Sequence, residues 1–232
     1  MSDILANLQA VRQRIATAQQ ACRRTDPVTL LAVSKTFPPD AIRAAAAAGQ
    51  QRFGENYVQE ALGKMTALAD LRAQLEWHFI GPLQSNKTRQ VAEHFDWVHS
   101  VDRLKLAQRL SEQRPAGLPP LQVCLQVNIS GEATKGGVEP DEVVTLAEAV
   151  ASLPNLRLRG LMTVPAPSDD PAEQRRPFAA LRTMLDTLRT RGMAVDTLSM
   201  GMSADLESAI AEGATIVRIG TAIFGARPRA TH

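Results

Sequence analysis

The stretch "VTLLAVSKTFPPDAIRAAAAAG", residues 28–49, contains the unit from which the whole chain is built. Leu30, Leu31, Ala32 and Val33 read as a strand buried on both faces. Residues 36–40 read as a loop entering a helix, with proline at the helix start and Gly49 at its stop. Lys35 therefore stands at the carboxyl end of a core strand, where an ammonium group is poorly solvated. The chain has five lysines, and one of them is in this place.

The same rhythm of apolar strand, loop and amphipathic helix repeats outward from there. Strands are expected at 28–35, 51–56, 76–81, 97–101, 121–128, 156–164, 197–201 and 215–220, with helical patterns between them. One gap, "YVQEALGKMTALADL" (57–71), is helical in pattern but interrupted by Gly63. "SADLESAIAEG" (203–213) runs from a capping serine to a terminating glycine. The first 22 residues add a helix carrying Ile4, Leu5, Leu8, Val11, Ile15 and Ala18 on one face, with Ser2 or Asp3 as cap. Strands alternating with helices pair in parallel, because each crossover helix returns the chain to the same end of the sheet. Eight such strands predict an α/β fold, a single (β/α)8 TIM-type barrel with an extra N-terminal helix. The alternative is an open doubly wound sheet. No linker or change of composition divides the chain, so residues 1–232 read as one domain.

Chemistry in such a barrel collects at the carboxyl ends of the strands. The residues there are Lys35, Glu55-Asn56-Tyr57, Gly81, Ser100, Asn128, Thr163, Gly201 and Gly220. A buried lysine loses its proton more easily and becomes a nucleophile toward carbonyl carbon. The carbonyl can belong to a sugar phosphate or to pyridoxal phosphate, and either brings a phosphate. "SMGMSADLESAI" (199–210) and "IVRIGTAIFG" (216–225) end the last two strands with glycine and open helices, the arrangement that suits an anion. The competing account is a structural Lys35 paired with an acid such as Glu55, with Ser203 a simple cap.

Several function classes fall away. A net charge of +2, 21 scattered arginines and 4% aromatic residues argue against a nucleic-acid surface. No segment approaches 18 uninterrupted apolar residues and the amino terminus carries no signal pattern, so a cytoplasmic protein is expected. Cys22, on the first helix, and Cys124, in the fifth strand, read as small core or near-core residues. "GEATKGG" (131–137) lacks the lysine-serine or lysine-threonine pair of a nucleotide loop. His78, His94 and His99 have no metal-ligand spacing.

"AVSKTFP" (32–38), "RFGENYVQEALGK" (52–64), "WHFIGPLQSNK" (77–87), "QVNISGEATKGGV" (126–138), "GLMTV" (160–164) and "SMGMSADLESAIAEGATIVRIGTAIFG" (199–225) resemble the pyridoxal phosphate homeostasis proteins. The resemblance runs over essentially the whole chain. It implies a monomeric barrel like the pyridoxal phosphate domain of alanine racemase. Pyridoxal 5'-phosphate would be held as a Schiff base on Lys35, with Ser203, Gly220 and Thr221 on the phosphate. Arg218 would face the pyridine nitrogen, and Asn56 would lie beside the ring. It implies storage and delivery of the cofactor to apo-enzymes and an effect on amino-acid and keto-acid balance, without established turnover. Lys135 and Lys87 are candidates for a secondary cofactor contact. Two alternatives remain open at this point: a racemase-like enzyme using Lys35 with Tyr57, the one tyrosine, and a cofactor-free Schiff-base aldolase.

Overall fold

The strand Thr29–Val33 pairs in parallel with Arg52–Glu55 on one side and with Ile216–Ile219 on the other, and these two contacts close the sheet. The computed structural model describes residues 3–131 and 136–226. Its first half runs α1 (Ile4–Ala21), β1 (Thr29–Val33), α2 (Pro39–Ala47), β2 (Arg52–Glu55), α3 (Val58–Ala67), β3 (Glu76–Phe79), α4 (Thr88–His94), β4 (Trp97–Val101). Then follow α5 (Leu104–Gln113), β5 (Leu121–Gln126), α6 (Val143–Ala151), β6 (Leu156–Met162), α7 (Pro171–Thr190), β7 (Thr197–Ser199), α8 (Leu206–Ala211), β8 (Ile216–Ile219) and α9 (Thr221–Phe224). The eight strands form a closed parallel barrel in sequence order, so the expected TIM-type barrel with an N-terminal helix is what the chain adopts, and the open sheet is not.

Local chemistry explains the boundaries. Asp3 caps α1 by accepting from Ala6 N at 3.1 Å. Helix α2 begins at Pro39 and is followed by Gly49 at φ +83°, where a side chain would be strained. Most of the core lies between barrel and helices: Phe53, Trp77, Phe79, Val98, Val123 and Leu161 face outward onto Leu8, Ile42, Leu106 and Phe178. Burying each large side chain contributes about 1.5–3 kcal/mol. The barrel interior holds a separate, smaller apolar group of Leu31, Trp97, Cys124, Met162 and Ile216. Polar side chains occupy much of the rest, among them the fully buried His78, His99 and Ser199.

Three details differ from the expectations. Gly63 does not interrupt α3, because no neighbour crowds the position and a glycine in a helix costs only about 1 kcal/mol. Helix α8 does not open at Ser203: Asp205 Oδ1 accepts from Met202 N at 2.6 Å, which holds 203–205 as a turn, and the helix begins at Leu206. Cys22 lies just past the last turn of α1, half-buried, with its Sγ 3.1 Å from Ala18 O. Cys124 is fully buried, and burial pushes its thiol up to about 12. No helix among the described residues is long and apolar enough to cross a membrane.

Two glycines predict opposite outcomes. Gly63→Ala should raise stability by about 0.5–1 kcal/mol, since it gains helix propensity without a clash. A Cβ at Gly81 would lie 2.3 Å from the Asn56 carbonyl oxygen, so Gly81→Ala should cost about 1–3 kcal/mol by forcing β2 and β3 apart at their ends. Urea denaturation of the two variants measures both.

Candidate functional site

Strand order β7-β8-β1-β2 puts the ends of four strands along one arc of the carboxyl mouth. Lys35 lies there two residues past β1, half-buried, and Asn56 lies one residue past β2. Gly220 follows β8, and a Cβ added to it would sit 3.1 Å from Val33 O, so the β8 end lies directly against β1. Gly201 lies beside Arg218, whose amide donates to Gly201 O at 2.9 Å.

The backbone next to Lys35 is unusual. Thr36 has φ +69°, a left-handed conformation that a β-branched residue avoids. Such strain persists only where the surroundings hold it, and it concentrates at functional sites. Here the hold is visible: Thr36 N donates to Glu60 Oε1 at 2.5 Å. On the other side of Lys35, Ser34 donates its hydroxyl to Glu55 Oε1 at 2.6 Å. Both acids meet at Lys64, whose Nζ lies 2.8 Å from Glu55 Oε1 and 2.8 Å from Ser34 O and also bonds Glu60. Glu55 and Lys64 are buried. Burial pushes the Glu55 carboxyl above its ordinary value, and the neighbouring Lys64 ammonium opposes that shift. Glu55 is thus paired with Lys64. Sequence reading missed this lysine, although its place on the apolar face of α3 beside Val58, Ala61 and Met65 was a signal.

The two glycine segments are braced from behind by α1. Arg14 makes a bidentate pair with Glu207, at 2.5 and 2.6 Å, and donates to Ser203 O at 2.8 Å. Asn7 donates to Ile223 O in α9 at 2.9 Å. Ser203 is half-buried in the turn before α8, and Thr221 is exposed at the start of α9. A cavity of about 420 Å³ opens on the same face between the loops after β5, β6 and β7, lined by Asn128, Val164, Met202 and Asp205.

Arg218 enters the barrel from β8 and is buried. It donates to Ser199 Oγ and to Thr163 O, both at 2.8 Å, and no carboxylate pairs with it among the described residues. Burial pulls its guanidinium down to about 10. Asn56 Oδ1 and Ser100 Oγ are buried without a hydrogen-bond partner among the described residues. A buried cation that no described carboxylate contacts directly, with Asp205 acting on it only from a distance, and two orphaned polar atoms suit a polar, electron-rich ligand. Tyr57 is 56% exposed and precedes α3 on the rim. Lys87 is half-buried at the entry to α4, and Lys135 lies outside the described residues. His94 is on the surface of α4, whereas His78 and His99 are bonded to each other inside the barrel. No group of three or more histidine, cysteine, aspartate or glutamate side chains among the described residues could hold a metal ion.

Residues 6–228 match the family described as "Alanine racemase, N-terminal domain". A pyridoxal phosphate homeostasis protein of Pseudomonas aeruginosa is 65% identical over 229 residues, which cover 98% of this chain and 97% of that protein. The protein of the same name from Escherichia coli K12 is 56% identical over 229 residues, 98% of each chain. Among solved structures, PipY of Synechococcus elongatus PCC7942 with PLP bound is 39% identical with a TM-score of 0.84, covering 96% of this chain and all of its own. Alanine racemase of Corynebacterium glutamicum, at 19% identity and a TM-score of 0.71, shares the fold; the likeness covers 63% of that enzyme.

The buried Lys64–Glu55 pair predicts a pH-dependent defect. Lys64→Met should cost about 3–5 kcal/mol, because it leaves a buried carboxylate without its counter-charge. A carboxyl raised in the folded state stabilises it below the unfolded value, and that contribution is lost as pH rises through the folded value. The variant should therefore lose more stability than the parent between about pH 5 and pH 8, as urea midpoints at the two values would show.

Proposed function

The chain belongs to the pyridoxal phosphate homeostasis proteins, within the alanine racemase N-terminal domain family, and from that premise we propose that it binds pyridoxal phosphate through Lys35 and holds it for delivery. The observation that carries the reading is the half-buried Lys35 on a strained turn at the mouth of a barrel whose fold is shared by a 39%-identical relative with PLP bound. The residues present fit the cofactor. Among the described residues Arg218 is a buried donor that no carboxylate contacts directly, and Asn56 carries a buried oxygen without a hydrogen-bond partner.

When bound, the cofactor supplies an aldehyde carbon open to amines and a ring that withdraws electrons. Lys35 provides the amine. Ser203, Gly220 and Thr221 bind the phosphate through hydroxyl and backbone N–H groups, held in place by Arg14 and Asn7 of α1. Arg218 donates to the ring nitrogen. It has no lone pair to accept a proton and none to share, unlike a carboxylate, so it leaves that nitrogen unprotonated and the ring a weaker electron sink. That choice restrains carbanion chemistry and suits carriage. Tyr57, lying exposed on the rim, likewise offers no water-shielded base opposite Lys35. The reading is of a monomeric, cytoplasmic barrel acting as one binding domain, which passes the cofactor to apo-enzymes and so influences amino-acid and keto-acid balance.

The ultraviolet-visible spectrum and borohydride trapping of the purified chain test this. A yellow protein whose reduced label maps to Lys35, with no label in Lys35→Ala, is expected. A chain that stays colourless and unlabelled with added pyridoxal phosphate would overturn the reading. Rapid α-proton exchange of an amino acid in heavy water would replace carriage by turnover. Ser203→Ala should loosen cofactor retention by about 1–2 kcal/mol, measured by dialysis against an acceptor apo-enzyme.

A further inference from the structure

A continuous line of hydrogen bonds crosses the interior of the barrel. At the base, Glu76 is the first residue of β3; its side chain is 37% exposed and pairs with Arg52 at 3.1 Å. Glu76 Oε1 lies 2.8 Å from His78 Nε2. His78 Nδ1 lies 2.8 Å from His99 Nε2, and His99 Nδ1 lies 2.7 Å from Ser199 Oγ. Ser199 Oγ accepts from Arg218 at 2.8 Å. The residues come from β3, β4, β7 and β8, and the line ends near the mouth. Its lower end opens into a basal cleft of about 630 Å³ lined by Glu76 and His78, on the face opposite Lys35.

The end groups dictate where each proton sits. A carboxylate only accepts, so His78 carries its proton on Nε2. Both rings are fully buried, and that burial lowers their basicity below the usual histidine range. As a neutral ring, His78 has a bare Nδ1, which must accept from His99 Nε2. His99 then has a bare Nδ1, which accepts from the Ser199 hydroxyl. Ser199 in turn accepts from Arg218, which can only donate. Every bond therefore points the same way, from the guanidinium at the mouth to the carboxylate at the base. The charged groups around the line are Glu76 and Asp96 toward its base with Arg52, and at its top Arg218, on which Asp205 acts from a distance; the direct contacts at the two ends, a carboxylate below and a guanidinium above, set the polarity. The His78 ring is further fixed by stacking on Trp97 at 5.2 Å, itself covered by Arg159 at 4.8 Å.

We propose that Glu76, His78, His99 and Ser199 are positioning residues for Arg218, forming a one-way relay that couples the guanidinium to a carboxylate on the opposite face of the barrel. The proposal rests on the reading that Arg218 faces the cofactor's ring nitrogen. Through this relay the carboxylate at the base orients the group that sets the electron demand of the ring, although it lies far from Lys35 along the strands. An apolar filling would support the barrel equally well but would leave Arg218 without this acceptor.

Nitrogen NMR of the cofactor-free, histidine-labelled chain reads the relay directly, and four histidines keep the spectrum simple. His78 and His99 are expected to be neutral at neutral pH with the proton on Nε2. In Glu76→Gln the terminal amide can accept or donate, so both tautomers should appear at the two rings. A proton on Nδ1 of either ring in the parent, or a Glu76→Gln spectrum like the parent's, overturns the relay. The second measurement is the absorption maximum of the chain loaded with pyridoxal phosphate. It should shift in Glu76→Gln and in Ser199→Ala while the labelled lysine stays the same, and should not shift in the surface variant His94→Gln. Unshifted spectra in both relay variants overturn the positioning role. A parent chain that takes up no cofactor overturns that role together with the proposed function, while the nitrogen spectra separately decide whether the relay exists.

Discussion

The parallel pairing of β1 with β8 is the contact on which the rest depends. Thr29 to Ala32 lie beside Ile216 to Ile219, and this register joins the first strand of the chain to the last. Without it Lys35 and Gly220, far apart in sequence, would not share an edge. Closure also removes the two free edges an open sheet would carry and makes one face of every strand an interior. What fills that interior then becomes the central physical question of the molecule.

The filling is mixed. Leu31, Trp97, Cys124, Met162 and Ile216 supply apolar volume, while His78, His99, Ser199 and Arg218 supply a polar line. At the mouth, Glu55 at the end of β2, Ser34 just past β1 and Lys64 of α3 form a second buried polar group. Buried ionic and polar groups add less stability than well-packed apolar ones of the same volume, and leaving any one of them unpaired is costly. Here they are concentrated around one residue and one guanidinium. The Ser34–Glu55–Lys64–Glu60–Thr36 group holds the turn on both sides of Lys35, and the line through Ser199 holds Arg218. The outer core of Phe53, Trp77, Phe79 and their helix partners provides the stability against which that arrangement is set.

Much of this was legible along the chain. Eight apolar runs separated by helical periodicity were enough for the barrel, because side-chain period reports which face of an element is buried. Lys35, Asn56, Arg218 and Gly220 could be located as residues at or near strand ends, and the order of motifs pointed to the family. The helix start at Leu206 was not legible, since Asp205 competes with Ser203 for the turn and only the folded geometry shows which side chain reaches which amide. Nor was Gly63 an interruption, because a helix tolerates a glycine wherever packing supports its neighbours.

The sequence by itself determined the elements, their order and the chemistry available at each strand end, because these depend on local periodicity and residue type. The tertiary structure decided partnership. That Lys64 rather than Lys35 neutralises Glu55, that Arg14 of α1 holds the Ser203 turn, and that two histidines without metal-ligand spacing join Glu76, through Ser199, to Arg218 are facts of closure. Hydrogen bonds need donor and acceptor within about 3 Å, and residues as distant in sequence as His99 and Ser199 reach that separation only when the barrel brings their strands around one axis.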